Sequence, residues 1–180
     1  MTAPRSHSRS EPLFTGGNHI CIATCNLDRA VRKWWDRYGI GPWRVYRYDP
    51  STVSAEVNGR PAEFSIRAAL APLGPHFRVE IIQPLEGDNP YTPSLERHGG
   101  ADHIHHVRFD VSDYDDAVRQ MDALGLRGVM DASFAGGTEE SPPLVGMYVD
   151  TTEDLGFVLE IAHSPSGFVM ATPEYEYPPS

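Results

Sequence analysis

The same layout occurs twice in this chain, in His19-Ile-Cys-Ile-Ala-Thr24 and in His106-Val-Arg-Phe-Asp-Val111. Each segment begins with a histidine, has the residue types that are typical of a strand, and leads into a stretch with helical spacing. Each half also ends on a strand with one carboxylate, in Val79-Glu80-Ile-Ile-Gln83 and in Phe157-Val-Leu-Glu160-Ile161. This repetition predicts two copies of one module, each with a histidine on its first strand and a glutamate on its last.

Both halves are predicted to follow the order βαβββ. In the first half, apolar residues recur at helical spacing up to Tyr38 and Gly39 follows as a stop, while the helix of the second half stops at Gly125. The remaining strands are predicted at 43–48, 62–70 and 77–83 and, in the second half, at 128–131, 144–150 and 156–162. The expected fold class is α+β, with two tandem βαβββ modules that form a curved mixed sheet around a pocket.

These elements divide the chain into five segments. In chain order, they are a flexible N-terminal tail at 1–16, a first module at 17–85, a linker with a short helix at 86–102, a second module at 103–163 and a Pro-rich C-terminal tail at 164–180. The first residues have no apolar stretch of the kind that a secretory signal needs. The C-terminal tail either stays loose or folds over a pocket mouth or a partner subunit.

The bulk composition is that of an ordinary globular protein, with 180 residues of which 40% are hydrophobic and 22% are charged. The net charge of -10 argues against nucleic acid or an anionic membrane as partner, because both need a basic surface. No apolar run reaches the roughly 20 residues that a membrane span requires. Cys21 and Cys25 stand too far apart on one strand to form a disulfide with each other, which predicts a cytoplasmic location.

The two histidines and two glutamates have the composition of a divalent-metal site. Alternate side chains of a strand point to opposite faces, so the apolar neighbours of these residues are predicted to face the helices. This leaves His19, Glu80, His106 and Glu160 on one concave face. Two nitrogen and two oxygen ligands suit a divalent ion and leave one or two positions for substrate oxygens. Any one of the four alone is typical of a solvated sheet face, but all four at matching places in two repeats favour the metal site.

These segments, together with Glu80-Ile-Ile-Gln-Pro-Leu85 and Asp150-Thr-Thr-Glu-Asp-Leu-Gly156, resemble the vicinal oxygen chelate superfamily, which includes glyoxalase I, methylmalonyl-CoA epimerase and extradiol dioxygenases. The resemblance covers about residues 17–162. It implies a glyoxalase-like fold, a small-molecule substrate, a homodimer, and one divalent ion per site, which is Co, Ni, Mn, Zn or Fe. It also implies that the family's four metal positions are occupied here by His19, Glu80, His106 and Glu160.

The layout is closest to the isomerase and epimerase branch of that family. A metal that polarises a substrate carbonyl makes the adjacent C–H more acidic, and Glu160 is expected to move the proton if it leaves the metal when substrate binds. By resemblance, Glu63 is the second catalytic acid of an epimerase. Otherwise it is an exposed charge at the end of a strand.

Four further residues are candidates for substrate binding. Arg108 lies on the metal-facing side of its strand, where its guanidinium could clamp a substrate carboxylate or simply pair with a nearby carboxylate such as Asp110. Arg67 allows the same two interpretations. Trp43 and Tyr46 could line a hydrophobic substrate site.

The sequence therefore predicts a metal-dependent isomerase, epimerase or glyoxalase-like lyase that acts on a small oxygenated acid or thioester. Two alternatives stay open. One is a metal-free binding protein of the same fold that sequesters an antibiotic, although four intact metal positions count against it. The other is an Fe(II) extradiol-type dioxygenase that draws a two-His-one-carboxylate set from the same residues. Bound metal separates the enzymes from the binding protein, and oxygen consumption separates the dioxygenase from the isomerase.

Overall fold

A computed structural model describes residues 12–179, so most of the predicted N-terminal tail, residues 1–11, lies outside the described residues. The first half contains, in chain order, β1 (Gly16–Ala23), α1 (Leu27–Tyr38), β2 (Trp43–Tyr48), β3 (Val53–Val57), β4 (Arg60–Ala62), β5 (Phe64–Pro72), β6 (Arg78–Gly87) and α2 (Tyr91–Arg97). The second half contains β7 (His103–Asp110), α3 (Tyr114–Ala123), β8 (Gly128–Phe134), β9 (Leu144–Val149), α4 (Thr152–Leu155), β10 (Val158–His163) and β11 (Tyr175–Tyr177). Over the span from 12 to 179, no helix is long and apolar enough to cross a membrane.

Each half forms a βαβββ module, and the two modules have the same strand order. In the first module β1 pairs in parallel with β6, followed by β5 and β2. In the second, β7 pairs in parallel with β10, followed by β9 and β8. The modules join where β1 and β7 run antiparallel, with Cys21 opposite His106. The predicted α+β fold class is thereby confirmed, and the first strands of both modules lie side by side at the centre of the sheet.

A hairpin that the sequence analysis did not predict ties the two ends of the sheet together. Strands β3 and β4 lie between β2 and β5 in the sequence of the first module. In the sheet, however, β3 pairs with β4 and with β8, which is the outermost of the four strands of the second module. Only four residues separate β2 from β3, a span of at most about 18 Å, so the sheet must curl. Tyr48 of β2 and Phe134 of β8 are in edge-to-face contact, with ring centroids 5.4 Å apart. The two ends of the sheet therefore approach each other around its concave face.

Helix α1 covers the convex face of the first module. It begins at an N-cap, because the Asn26 side chain accepts a hydrogen bond of 2.9 Å from the Arg29 amide, and it ends at Gly39, whose φ of 66° is the left-handed conformation. Its apolar side chains pack against the outward-facing side chains of β2, β5 and β6, and this cluster includes Leu27, Ala30, Val31, Trp43, Val45, Val79 and Ile81. Helix α3 covers the convex face of the second module in the same way.

The C-terminal segment returns to the first module. Strand β11 pairs antiparallel with β2, with Tyr175 opposite Val45, and the Tyr175 hydroxyl donates to Asp28. Between β10 and β11 the chain passes over the opening of the concave face, where Phe168 and Met170 line a cavity. Of the two arrangements left open by the sequence, the tail therefore adopts the folded one.

Candidate metal centre and adjoining cavity

The two modules bring four ionisable side chains together on neighbouring strands. His19 lies on β1, Glu80 on β6, His106 on β7 and Glu160 on β10. The Nε2 atoms of the two histidines are 3.2 Å apart. Glu80 Oε2 lies 3.3 and 3.4 Å from these nitrogens, and Glu160 Oε2 lies 3.2 and 3.1 Å from them. The ligand atoms of His19, Glu80 and His106 all lie within 4.8 Å of one another, so this set could hold a metal ion.

Two irregularities in the β1–β7 pairing bring additional polar residues inside. The register shifts between Gly17 and His19, and again where the pairing passes over His105. Such a shift re-aims the side chains next to it, because one strand has an extra residue there. As a result, both Asn18 and His19 of β1 are buried, and both His105 and His106 of β7 are buried.

Asn18 fixes the tautomer of His19. The Asn18 amide nitrogen donates to Asp110 Oδ2 over 2.7 Å, and a carboxylate can only accept, so the amide oxygen is the atom that faces His19. This oxygen lies 3.2 Å from His19 Nδ1, which must therefore carry the proton. In the neutral ring, the Nε2 lone pair then points toward the other three side chains.

His105 fixes the tautomer of His106 by the same logic. Burial lowers the pKa of His105 to about 3, so this ring is neutral, and it donates to the carbonyl of Pro90. Its Nδ1 lies 3.0 Å from His106 Nδ1 and is left as an acceptor. His106 therefore carries its proton on Nδ1 and also directs an Nε2 lone pair into the site.

The charges of the four side chains depend on one another. Burial alone would lower the pKa of His19, but the adjacent carboxylates of Glu80 and Glu160 raise it to about 9. Burial opposes the charge of Glu160, yet the nearby His106 and His19 hold its carboxyl pKa well below the usual range, and the two histidines lower the pKa of Glu80 as well. In the metal-free site at neutral pH, Glu80 and Glu160 are therefore ionised and His19 is protonated.

The residues present fit a divalent cation. Glu160 Oε2 is fully buried and, although it is within 3.2 Å of both histidines, it has no hydrogen bond of proper geometry from residues 12–179. Two tautomer-fixed Nε2 lone pairs converge on the same point. Imidazole nitrogens held from behind by a second hydrogen bond, together with carboxylates, are the usual surroundings of a protein-bound transition metal.

Two tyrosines pack behind the histidines. The Tyr148 ring meets His106 edge to face at 4.9 Å, and the Tyr91 ring lies 4.7 Å from His105. Tyr91 donates its hydroxyl hydrogen to the Tyr148 oxygen over 3.3 Å. Burial raises the pKa of both phenols, so they stay neutral and help to hold the imidazoles in place.

A cavity of about 300 Å³ opens on His19, Glu80 and Glu160. Its other polar lining includes Asn18, Arg78, Arg108, Ser164 and the three tyrosines Tyr48, Tyr91 and Tyr148. Its apolar lining comes from both modules and from the C-terminal segment, namely Ile66, Ala68, Leu70, Ile82, Phe134, Leu144, Phe168 and Met170.

Arg108 is the predicted substrate-binding residue that reaches the cavity. Its side chain is only 7% exposed, and its Nε and Nη2 atoms donate to Asp110 Oδ1 over 3.0 and 2.8 Å. Nη2 also donates to Ser164 Oγ over 2.9 Å. The pairing with Asp110 that the sequence analysis considered is present, and the guanidinium still lines the cavity.

The structure does not bring the other predicted residues to the cavity. Leu70 is the partner of Glu80 in the β5–β6 pairing. Glu63 lies seven residues before Leu70, which at the rise of a strand separates the two by roughly 20 Å. Arg67 is on the convex side, where it forms ion pairs with Asp28 and Glu174.

Both predicted aromatic residues also lie outside the cavity lining. Trp43 is fully buried in the convex core under α1. Tyr46 lies on the concave side of β2 and stacks on Tyr48 with ring centroids 6.3 Å apart, but it is Tyr48 that lines the cavity.

Sequence reasoning missed several residues that support the site. Asn18 directly precedes His19, and a polar residue at this place was a usable signal. Tyr148 lies on β9 on the same face as Leu144, and alternation along that strand would have placed it inside. No local pattern marks Ser164, because its contact with Arg108 depends on the path of the C-terminal segment.

The family model of the Glyoxalase/Bleomycin resistance protein/Dioxygenase superfamily matches residues 18–142. Methylmalonyl-CoA epimerase from Mycobacterium tuberculosis is 22% identical, with a TM-score of 0.58 over 88% of this chain and 94% of the other. A variant of the Streptomyces coelicolor methylmalonyl-CoA epimerase, in complex with 2-nitronate-propionyl-CoA, is 19% identical, with a TM-score of 0.59 over 86% and 98%. A hypothetical protein from Bacillus halodurans is 13% identical, with a TM-score of 0.60 over 84% and 95%. At these identities the likeness shows the fold. Comparison with curated proteins gives no match.

Proposed function

Because the chain belongs to the glyoxalase/bleomycin resistance protein/dioxygenase superfamily, we propose that it is a divalent-metal-dependent isomerase, epimerase or lyase. The proposed reaction is the abstraction of a proton next to a carbonyl of a small oxygenated acid or thioester. The observation that carries the proposal is the convergence of His19 Nε2, His106 Nε2, Glu80 Oε2 and Glu160 Oε2 at separations of 3.1–3.4 Å beside a cavity.

The four side chains would hold the ion, and the ion would supply Lewis acidity toward a substrate carbonyl. His19 and His106 are suited to permanent ligation, since Asn18 and His105 hold them from behind. Glu160 is the proposed base. Its Oε2 accepts no hydrogen bond of proper geometry from the described part of the chain. This oxygen is therefore less firmly positioned than the two imidazole rings.

Two carboxylates line the cavity, and they come from different modules. Within residues 12–179, the carboxylates that line it are Glu80 and Glu160, and both belong to the proposed metal site. The β5 side chains that line the cavity next to the Glu80 strand are the apolar Ile66, Ala68 and Leu70. Epimerisation by two bases needs an acid on each face of the substrate carbon. With Glu63 outside the cavity, Glu160 and Glu80 are the two lining carboxylates in the described part of the chain that could serve as bases, and both would also hold the ion.

The experiment is an elemental analysis of the purified protein, together with proton exchange in D2O. We expect about one ion per chain in the wild type and a marked loss in His106→Ala and Glu160→Gln, while His76→Ala, an exposed histidine on a turn, keeps its ion. The loaded protein is then incubated with 2-oxo acids, hemithioacetals of 2-oxo aldehydes and 2-substituted thioesters, and exchange is followed by NMR.

Exchange of the proton next to the carbonyl that depends on metal and on Glu160 would support the proposal. A protein that takes up none of Co, Ni, Mn, Zn or Fe(II) after reconstitution would overturn it in favour of a binding protein. Oxygen consumption by the Fe(II) form without proton exchange would overturn it in favour of a dioxygenase, because His19, Glu80 and His106 also form a two-His-one-carboxylate set.

A further inference from the structure

We propose that the substrate of this site is a compact carboxylate with an apolar body, and that Arg108 binds its carboxylate group. The inference rests on the proposed function, since it names the class of molecule on which that site acts. It is independent of which metal is bound, because the residues that carry it belong to the chain.

The Arg108 guanidinium is held as a receptor for an anion. Its Nε and Nη2 atoms donate hydrogen bonds to Asp110, and Nη2 also donates to Ser164. Its Nη1 atom has no acceptor among residues 12–179. The residue is 6% exposed, and what is exposed faces the cavity. A guanidinium fixed in this way loses little freedom when it binds a carboxylate, and it forms charge-assisted hydrogen bonds.

Arg108 is also next to the proposed metal site. In the parallel pairing of β7 and β10, Arg108 is the partner of Glu160, so their Cα atoms lie at about the strand spacing of 4.8 Å. An acid group on Arg108 would therefore place the neighbouring carbon of the substrate beside the donor atoms. This is the position that a carbon must occupy to lose its proton to Glu160.

The balance of charge favours an anionic substrate. With neutral histidines as ligands, Arg78, Arg108 and a divalent ion carry four positive charges. Glu80, Glu160 and the Asp110 that is paired with Arg108 carry three negative ones. The loaded cavity thus has an excess of one positive charge, which a single carboxylate would neutralise.

The far walls of the cavity are apolar and belong to three parts of the chain. The first module supplies Ile66 and Leu70, the second Phe134 and Leu144, and the C-terminal segment Phe168 and Met170. At about 300 Å³, the cavity is at the lower limit of about 300–1,000 Å³ for ligand pockets. It therefore suits a small acid with an aliphatic or aromatic body more than a nucleotide-bearing thioester.

The C-terminal wall is fixed by hydrogen bonds to the loop after β8. The Gly137 amide donates to the Val169 carbonyl over 2.8 Å, and the Val169 amide donates to Ser141 Oγ over 2.9 Å. A side chain at Gly137 would collide with this wall, since an added Cβ would lie 2.5 Å from the Met170 carbonyl oxygen. Phe168 and Met170 are thereby held over the cavity as part of its surface.

The test is the binding of four probes to the Co(II)-loaded protein by calorimetry, with metal content measured on the same samples. The probes are 4-methyl-2-oxopentanoate, its methyl ester, pyruvate and methylmalonyl-CoA. We expect the 4-methyl acid to bind at least roughly tenfold more tightly than its ester, as a lost charged hydrogen bond implies. We expect it to bind at least roughly tenfold more tightly than pyruvate, which lacks the apolar body.

Variants assign these two preferences to their residues. In Arg108→Gln, the acid should lose its advantage over the ester, while Arg44→Gln, an exposed arginine paired with Glu176, should keep it. In Phe168→Ala, the preference for the acid over the ester should persist, and the advantage over pyruvate should shrink.

Equal affinity of acid and ester in the metal-loaded wild type would overturn the inference, whatever the folding of the variants. So would tightest binding of methylmalonyl-CoA, or an acid preference that persists in a folded Arg108→Gln. The metal content measured on the same samples tests the proposed function independently of these binding results. That function fails if no ion is bound, and it stands if an ion is bound without the acid preference.

Discussion

The Nε2 atoms of His19 and His106 face each other across 3.2 Å, although the two residues are 87 positions apart in the chain. Asn18 and His105 hold the opposite nitrogen of each ring as a donor, so two neutral imidazoles would bring two lone pairs together. A cation between them removes this conflict. In the metal-free protein that cation is a proton, which agrees with the raised pKa of His19, about 9.

Metal binding should therefore release a proton. Because the pKa of His19 is raised to about 9, this ring is protonated in the metal-free protein at pH 7, and it must lose that proton to bind an ion. We expect about one proton released per ion at pH 7 and about none above pH 10, with affinity falling about tenfold for each pH unit below 9. Calorimetric titration in two buffers of different ionisation enthalpy measures the proton count. Equal heats in both buffers at pH 7 would contradict the expectation.

Asn18→Ala should weaken metal binding without unfolding the protein. The substitution removes the acceptor that keeps the proton of His19 on Nδ1, and loss of such a supporting contact typically costs about 10- to 100-fold in metal affinity. Competition with a chromophoric chelator measures the affinity. Gln120→Ala on helix α3, away from the site, is the control. An unchanged affinity in Asn18→Ala would show that the His19 ring is oriented by packing alone.

His105→Phe should weaken metal binding through His106. The phenyl ring preserves the contact with Tyr91 but has no acceptor for His106 Nδ1, so we expect an affinity loss of about tenfold or more. His105→Gln can restore an acceptor and should recover part of the loss. The same chelator competition applies, and equal affinities of the Phe and Gln variants would speak against the role of the hydrogen bond.

Gly87→Ala should be far more destabilising than Gly59→Ala. Both glycines have a positive φ, 82° and 71°, so an alanine costs about 1–2 kcal/mol at either position. At Gly87, an added Cβ would also lie 2.1 Å from the Glu63 carbonyl oxygen, whereas at Gly59 it meets no described atom within 4 Å. Overpacking should add about 2 kcal/mol or more to the loss at Gly87. Urea unfolding measures the difference, and similar losses would show that the β5–β6 pairing can shift to accept a side chain.

The local pattern of the sequence was sufficient for the modules and for placing His19, Glu80, His106 and Glu160 on one face of the sheet. Strand alternation places Val79 and Ile81 on one face and Glu80 on the other, and this requires only neighbours along the chain. Because the second module repeats the first, the same reasoning places His106 and Glu160 on the corresponding face of the second module. The homodimer, the cytoplasmic location and the boundaries of the segments stay predictions.

The remaining features depend on contacts between distant residues. The hairpin of β3 and β4 pairs with β8, so Val57 is the partner of Met130, and no short-range signal encodes that choice. Glu63 was assigned by resemblance to the epimerases, but the position across a hairpin is set by its turn, and the turn makes Leu70 the partner of Glu80. The contact of Ser164 with Arg108 depends in turn on where the C-terminal segment runs.

Because β3 leaves the first module to pair with β8 of the second, the halves of this protein are joined along two seams, β1 with β7 and β3 with β8. The two halves are therefore held together at two places in the sheet and not only where β1 meets β7. A cut in the connection between α2 and β7 would leave both seams intact, so the fragments have reason to stay associated. An exchange of modules between two chains would instead require both seams to open at once.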